Sequence, residues 1–279
     1  MPADRPTATL PRKAVVLARG LGTRMRTRDD AAAIAPEQAA VADQGVKALI
    51  PVLGRPFLDY VLAALADAGF TDVCLVIGPE HQAIREHYSQ TAVPRRARIR
   101  FAIQAQPLGT ADAVLAAEAF VAGEPFLVLN ADNYYPPEVL AALRSQAPPA
   151  TLAFTRDGLL RDGQIPPERI ARYALLDVGA DGVLRRIVEK PDEAAARTLG
   201  DAPVSMNCWL LNPAIFDACR RVPPSPRGEL ELPLAIQYAI DAMGVRVHVL
   251  SVDAPVLDLS QRADIRGVAS RLEGLKVRL

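Results

Sequence analysis

Cysteine is scarce in this chain, and a surplus of charge is missing altogether. The three cysteines, Cys74, Cys208 and Cys219, are odd in number and set in apolar runs, so buried thiols of a reducing compartment are expected rather than a disulfide framework. With 32 basic against 32 acidic residues the formal net charge is zero. That balance argues against a general nucleic-acid or membrane-surface binder, which usually carries a basic excess. No apolar run approaches the length of a membrane span, and the opening "MPADRPTATLPRK" has no apolar leader segment. Internal repeats and low-complexity linkers are lacking too. The expectation is a soluble cytoplasmic protein with no nucleic-acid or membrane partner.

What the chain has in quantity is apolar surface. Half of its 279 residues are hydrophobic, enough for a sizeable core in one large α/β domain. Short β-branched runs alternate with helical patterns through the first half. "KAVVLA" closes on glycine. "RPFLDYVLAALADAGF" places Leu58, Val61, Leu62 and Leu65 on one helical face and stops near Gly69. "DVCLVIG" reads as a second buried strand, followed by a helix over 79–88, and "RIRFAIQ", the helix "TADAVLAAEAFV" and the strand "PFLVLNAD" continue the alternation. Near-continuous apolar strands separated by helices predict a mostly parallel sheet covered on both faces, a three-layer Rossmann-like architecture. Beyond residue 148 the pattern turns β-rich. "ATLAFTR", "ARYALLDV" and "VLRRIVEKP" read as strands, the last two joined by the turn "GADG". "VSMNCWLL", helices over 213–221 and 229–243, the strand "RVHVLSV" and a final helix follow. The Ala-rich "DDAAAIAPEQAAVADQG" at 29–45 reads as a short helical insertion.

A parallel sheet of this kind binds ligands beyond the carboxyl ends of its strands. Three polar features converge there: the glycine loop after Ala18, Gln104 after the third strand and Asp132 after the fourth. In "LARGLGTRM" the glycines let backbone N–H groups approach an anion, and Arg24 adds a planar fork suited to phosphate oxygens. The loop is not a dinucleotide fingerprint, because Met25 stands where the third glycine of G-x-G-x-x-G belongs. Asp132 in "VLNADN" occupies a strand end, where a carboxylate can hold Mg²⁺ beside phosphates or simply cap a loop. Taken alone, Lys47 is a surface lysine, Glu189 and Lys190 in "VEKP" are a solvated ion pair, and Asp258 in "LDLS" is a buried cap.

In order along the chain, "LARGLGTRM", "VKALIPVLGRPFLDYVL", "QAQPLGTADAV", "VLNADN", "VEKP", "MN", "GELEL" and "LDLS" together resemble the sugar-1-phosphate nucleotidyltransferases, over about 13–265. The resemblance implies a single domain over 1–279, of the nucleotide-diphospho-sugar transferase type. Its parts would be a nucleotide-binding half at 13–148, a smaller β-rich sugar-phosphate-binding half at 149–260 and a C-terminal helix at 261–279. Leu17, Ala18, Arg19, Gly20, Gly22 and Thr23 would shape the nucleotide loop, with Gln104, Gly109 and Thr110 at the base edge. By the same resemblance Arg24 and Lys47 would bind phosphates in the transition state, and Asp132 and Asp258 would hold Mg²⁺. Lys190 would grip the sugar phosphate, while Glu189, Asn207, Trp209 and Glu229 would face the sugar. The implied reaction is attack of a sugar 1-phosphate oxygen on the α-phosphorus of a nucleoside triphosphate. Pyrophosphate leaves, and no protein nucleophile is needed. The implied partners are those two substrates, with a homo-oligomer left open.

Some residues depart from the family pattern. Arg19 stands where Ala or Gly is usual, and either adds a phosphate or ribose contact or narrows the base pocket. Ala131 replaces a customary glycine. The insertion lengthens the spacing from Arg24 to Lys47, as a lid over the triphosphate or as a peripheral helix. Trp209 replaces a glycine, and either offers the sugar a stacking surface or turns into the core. Gln104, donor and acceptor through one amide, does not choose among bases. Two other functions stay open: transfer to a non-sugar phosphate such as phosphocholine or a cyclitol phosphate, and non-catalytic sensing of nucleotide sugars. A nicotinamide oxidoreductase is disfavoured by the incomplete glycine fingerprint and by the pairing of Asp132 with Asp258.

Overall fold

Residues 9–29, 31–161 and 164–279 are described by a computed structural model, so most of the opening stretch lies outside the described residues. Seven strands form the main sheet: β1 (Lys13–Leu17), β2 (Asp72–Ile77), β3 (Arg98–Ile103), β4 (Phe126–Asn130), β5 (Ala150–Phe154), β6 (Trp209–Leu211) and β7 (His248–Val252). Their order across the sheet is β7-β5-β6-β4-β1-β2-β3. β6 pairs antiparallel with both neighbours, and every other neighbouring pair is parallel.

Side-chain alternation along these strands builds two cores. Ala14 and Val16 of β1 face one side, with Leu75 and Ile77 of β2 and Leu127 and Leu129 of β4. Val15 and Leu17 face the other, with Cys74, Val76, Phe126 and Val128. Both faces being covered, the strands read as unbroken apolar runs. Helices Phe57–Asp67, Pro137–Arg144 and Asp264–Leu272 pack on the first face. Thr110–Ala116, Ile215–Arg221 and Leu232–Met243 pack on the second. Each fully buried Leu or Val in these layers contributes about 1.5–3 kcal/mol. The result is the expected three-layer α/β arrangement. Cys74, Cys208 and Cys219 are buried and unpaired, and burial pushes the thiols of Cys74 and Cys219 up to about 12. No described helix is long and apolar enough to cross a membrane.

Several elements differ from the pattern-based expectation, each for a local reason. "TADAVLAAEAFV" breaks at Ala117 into two helices, Thr110–Ala116 and Glu118–Val121. The helix at 79–88 shortens to Gln82–Glu86 and runs into a π-type turn, His87–Thr91. "ARYALLDV" pairs only over Leu175–Val178, antiparallel to Leu184–Val188. "VSMNCWLL" becomes strand only at Trp209, because Asn207 takes φ 60°, outside strand geometry. The helix expected from Glu229 starts at Leu232 with a proline in its first turn, leaving 229–231 as a loop. In the insertion the helix is Pro36–Gln44, closed by Gly45 at φ 75°.

Candidate active site

β1 lies between β2 and β4 in parallel register, so the carboxyl ends of all three open on one edge. The chains stay tied just beyond the strands. Ala131 N–H donates to the Leu17 carbonyl at 3.1 Å, Ala18 N–H to Val76 at 2.9 Å and Gln104 N–H to Ile77 at 2.9 Å. A cavity of about 440 Å³ sits on this edge. Its wall contains Leu17, Ala18, Arg19, Gly20, Gly22, Thr23, Arg24, Lys47, Gln104, Gly109, Thr110, Asp132 and Glu229 of the expected residues. Asn130 of "VLNADN" and Pro107 of "QAQPLGTADAV", to which the sequence alone assigns no role, also line it.

The glycine loop approaches the cavity as bare backbone: a Cβ added at Gly20 would meet no heavy atom within 4 Å. Gly22 is required for two reasons. Its φ is 62°, and a Cβ would fall 2.3 Å from the Gly45 carbonyl oxygen. The chain then turns into the short helix Thr23–Arg26, which buries Met25 and leaves Arg24 exposed on the cavity wall. Arg24 has no protein partner among the described residues, so its guanidinium is available to an anion. Lys47 Nζ pairs with Asp132 Oδ2 at 2.9 Å.

Buried Arg262 braces this loop. It donates to the Met25 carbonyl at 2.9 Å and to the Arg26 carbonyl at 3.4 Å, and pairs with Asp43 of the insertion. Arg26 in turn donates to the Gln44 carbonyl at 2.8 Å. The wall takes Val46 and Lys47 but no described residue of 29–45. The insertion contains a helix, Pro36–Gln44, whose Asp43 and Gln44 are bonded to Arg262 and Arg26. Only the unusual burial of a charge after "LDLS" marks Arg262, and that cannot be read without the fold.

At the other end of the wall, Gln104 Nε2 donates to the Gly109 carbonyl at 2.9 Å and to Asp112 at 2.8 Å. Its Oε1 has no partner among the described residues. Gly109 needs its φ of 121°, and a Cβ there would lie 2.4 Å from the Leu230 oxygen. Thr110 Oγ1 accepts the Leu232 N–H at 2.8 Å, which fixes the 229–231 loop against this corner.

Asp258 does not reach the cavity wall; it is buried behind Asp132. A short antiparallel pair sets Asp258 opposite Asn133, and Leu259 N–H donates to the Asp132 carbonyl at 2.8 Å. Burial, and then the charge of Asp132, push the Asp258 carboxyl above its usual range. Bonds from Tyr173 and Ser260 and the charge of Arg169 oppose that shift. The Ser260 hydroxyl donates to Oδ1 at 2.7 Å, Tyr173 donates to Oδ2, and Arg169 lies 3.7 Å from Oδ2. With the Asp132 carboxylate close enough to act on it, Asp258 makes with it an oxygen donor pair suited to a hard divalent cation. No cluster of three or more His, Cys, Asp or Glu is poised for a metal among the described residues. Remaining ligands would then be substrate oxygens and water, the usual case for Mg²⁺. The chemistry of the pair fits that ion.

Glu189 and Lys190 follow the strand Leu184–Val188 and lie off the cavity wall, Lys190 at φ 43°. Desolvation and the charge of Glu231 hold the Glu189 carboxyl above its usual range, against Arg227 and Lys190. Arg227 pairs with buried Glu231 at 2.8 Å. These four charges form a group that joins the cavity through Glu229. The alternation of "ELE" is the sequence signal for Glu231.

One expected sugar contact, Trp209, is corrected. Asn207 is half-buried beside the wall: its Nδ2 donates to Asn130 Oδ1 at 2.9 Å, and its Oδ1 accepts the Trp209 indole N–H at 2.8 Å. Trp209 is 0% exposed and packs in the second core. Strand alternation turns it inward, and its one polar atom is satisfied there, so it offers no stacking surface to a ligand.

The sequence model of the nucleotidyl transferase family matches residues 13–259. The low-salt glycan biosynthesis nucleotidyltransferase Agl11 of Haloferax volcanii is 28% identical over 236 residues, 82% of this chain and 59% of that protein. A glucose-1-phosphate thymidylyltransferase of Streptomyces antibioticus is 29% identical over 275 residues, 96% of this chain and 68% of the relative. The chain thus spans under two thirds of the length of the first of these. Among solved structures, a UDP-glucose pyrophosphorylase from Acinetobacter baumanii shares the fold, with TM-score 0.73 at 20% identity over 95% of both chains. Since the family match runs from the first residue of β1 to the one after Asp258, the chain belongs to the nucleotidyl transferase family.

Proposed function

We propose that this chain transfers a nucleoside monophosphate from UTP or dTTP to a sugar 1-phosphate, with Mg²⁺, releasing pyrophosphate and forming a nucleotide-activated sugar. The observation that carries the reading is one cavity wall shared by unpartnered Arg24, the Lys47–Asp132 pair and Gln104. Arg24 and Lys47 neutralise phosphate oxygens where charge grows as the α-phosphorus is attacked. The bond from the acceptor phosphate oxygen to the α-phosphorus forms as the bond to the β-phosphate oxygen breaks. No side chain attacks; catalysis is positioning and neutralisation. Asp132 and Asp258 would hold Mg²⁺, which when bound would supply further charge neutralisation on the phosphates.

The base preference follows from hydrogen-bond use. Both N–H groups of the Gln104 amide are engaged within the protein, which leaves Oε1 as an acceptor. Uracil and thymine offer an N3–H donor to such an atom, whereas cytosine presents N3 as a second acceptor. The names of the thymidylyltransferase relative and of the UDP-glucose pyrophosphorylase with the same fold support the choice of these bases. On the acceptor side, Lys190 binds the sugar phosphate and Glu189 accepts a sugar hydroxyl.

The test is pyrophosphate release over a matrix of nucleoside triphosphates and sugar 1-phosphates, with and without Mg²⁺. Release with UTP or dTTP that depends on Mg²⁺ is expected. Tight nucleotide binding with no release in any pairing would favour a sensing role. Release confined to CTP with phosphocholine would favour the non-sugar acceptor.

A further inference from the structure

Arg19 leaves β1 and crosses the ends of both β2 and β3. Its Nε and Nη2 donate to the two Glu80 carboxylate oxygens at 3.1 and 3.3 Å, and its Nη1 donates to the Gln104 carbonyl. The arginine side chain is 7% exposed although Glu80 is 49% exposed, so the fork lies under its partner. An arginine serving the triphosphate keeps its fork open, as Arg24 does. Arg19 is already neutralised. Glu80 reaches it by folding back over Gly78, where a Cβ would fall 2.3 Å from either carboxylate oxygen. Burial works to raise the Glu80 carboxyl, yet its own backbone N–H and Arg19 bring it below the usual range.

The consequence falls on Gln104. Ile77 holds its N–H, Arg19 holds its carbonyl, and Gly109 and Asp112 hold its side-chain nitrogen. Only Oε1 remains for a ligand.

We infer that Arg19 and Glu80 form a clasp on the main chain of Gln104, which makes Arg19 a positioning residue for the choice of pyrimidine and not a phosphate ligand. The inference rests on the proposed transfer from UTP or dTTP. A fixed lone acceptor takes the N3–H of uracil or thymine and meets cytosine N3 lone pair against lone pair. Without the clasp the Gln104 main chain loses the tie on its carbonyl, so Oε1 shifts relative to the base although Gly109 and Asp112 still hold Nε2. Removing the clasp therefore weakens the right base and relaxes rejection of the wrong one.

The experiment measures UTP and CTP binding by calorimetry, together with steady-state pyrophosphate release, for the wild type, Arg19→Gly, Arg19→Lys and Glu80→Gln. In Arg19→Gly the Kd and KM for UTP rise about tenfold, equivalent to about 1.4 kcal/mol, and the UTP-over-CTP ratio falls by a similar factor. The KM for the sugar 1-phosphate stays in place, and kcat changes less than about threefold. Glu80→Gln falls between these, and Arg19→Lys recovers part of the loss by reaching the Gln104 carbonyl. Unaltered base discrimination in both Arg19→Gly and Glu80→Gln would overturn the inference. So would a loss confined to kcat, which would put Arg19 on the phosphates. A wild type that binds UTP but releases no pyrophosphate defeats the transfer reading alone, and the calorimetric ratio still decides the clasp. A wild type that binds neither UTP nor dTTP defeats both.

Discussion

On the nucleotide side of the cavity, Leu17, Ala18 and Gln104 hang directly from the ends of β1 and β3; Ala18 and Gln104 are tied by main-chain bonds to β2, and the Leu17 carbonyl to Ala131 beyond β4. On the acceptor side, Glu189, Lys190 and Glu229 sit on connections outside the main sheet, and Arg227, Lys190 and Glu231 set the charge around Glu189, with Arg227 paired to Glu231 at 2.8 Å. On the proposed function the first side is the seat for the triphosphate that all such donors share. The second is carried by loops, the part of a fold that changes most readily with the acceptor. Lys47 and Asp132, paired at 2.9 Å, lie where the two meet.

The sharpest way to break this contrast is to remove the junction. Asp132→Asn deletes the partner of Lys47 and, on the proposed function, a Mg²⁺ ligand, and pyrophosphate release should fall about 10³-fold or more, about 4 kcal/mol of transition-state stabilisation. Arg24→Ala, on the seat, should lower kcat/KM about 10²-fold, about 3 kcal/mol; full activity would remove Arg24 from the site. Lys190→Ala should raise the KM for the sugar 1-phosphate roughly 30-fold, about 2 kcal/mol, while the KM for UTP moves less than about twofold. Equal rises in both would show that the sides are not separate. Trp209→Phe should leave acceptor preference unchanged and lower stability in urea by about 1–2 kcal/mol, because Asn207 Oδ1 loses its buried donor. The smallest effect concerns pH. Since the Glu80 carboxyl is held below its usual range, its ion pair with Arg19 is complete above that range and is lost only as pH falls through the lowered value. The UTP-over-CTP ratio of Kd values, in which the shared triphosphate titration cancels, should therefore stay flat from about pH 8 to about pH 5.

The seat was legible in the sequence because its residues are fixed by strand ends. An apolar run that stops at "ARGLG" or "NAD" states both the strand and the edge on which its next residue emerges. The acceptor side was harder to read for the opposite reason. "SMNCW" keeps strand composition while Asn207 takes a positive φ, and the two-residue alternation then sends Trp209 inward. Arg19 and Arg262 illustrate a further limit. Each is an arginine whose partners, Glu80 and Asp43, are remote in the chain, so only the folded chain distinguishes a strut from a phosphate ligand.

The contact of Gly22 with Gly45 carries a lesson about ancestry. A side chain at Gly22 would strike the main chain of Gly45, and one at Gly45 would come within 2.9 Å of the Leu21 carbonyl oxygen. No change of rotamer relieves such collisions. The loop and the Ala-rich segment are therefore one heritable unit: a chimera that borrows either without the other inherits half of a matched joint.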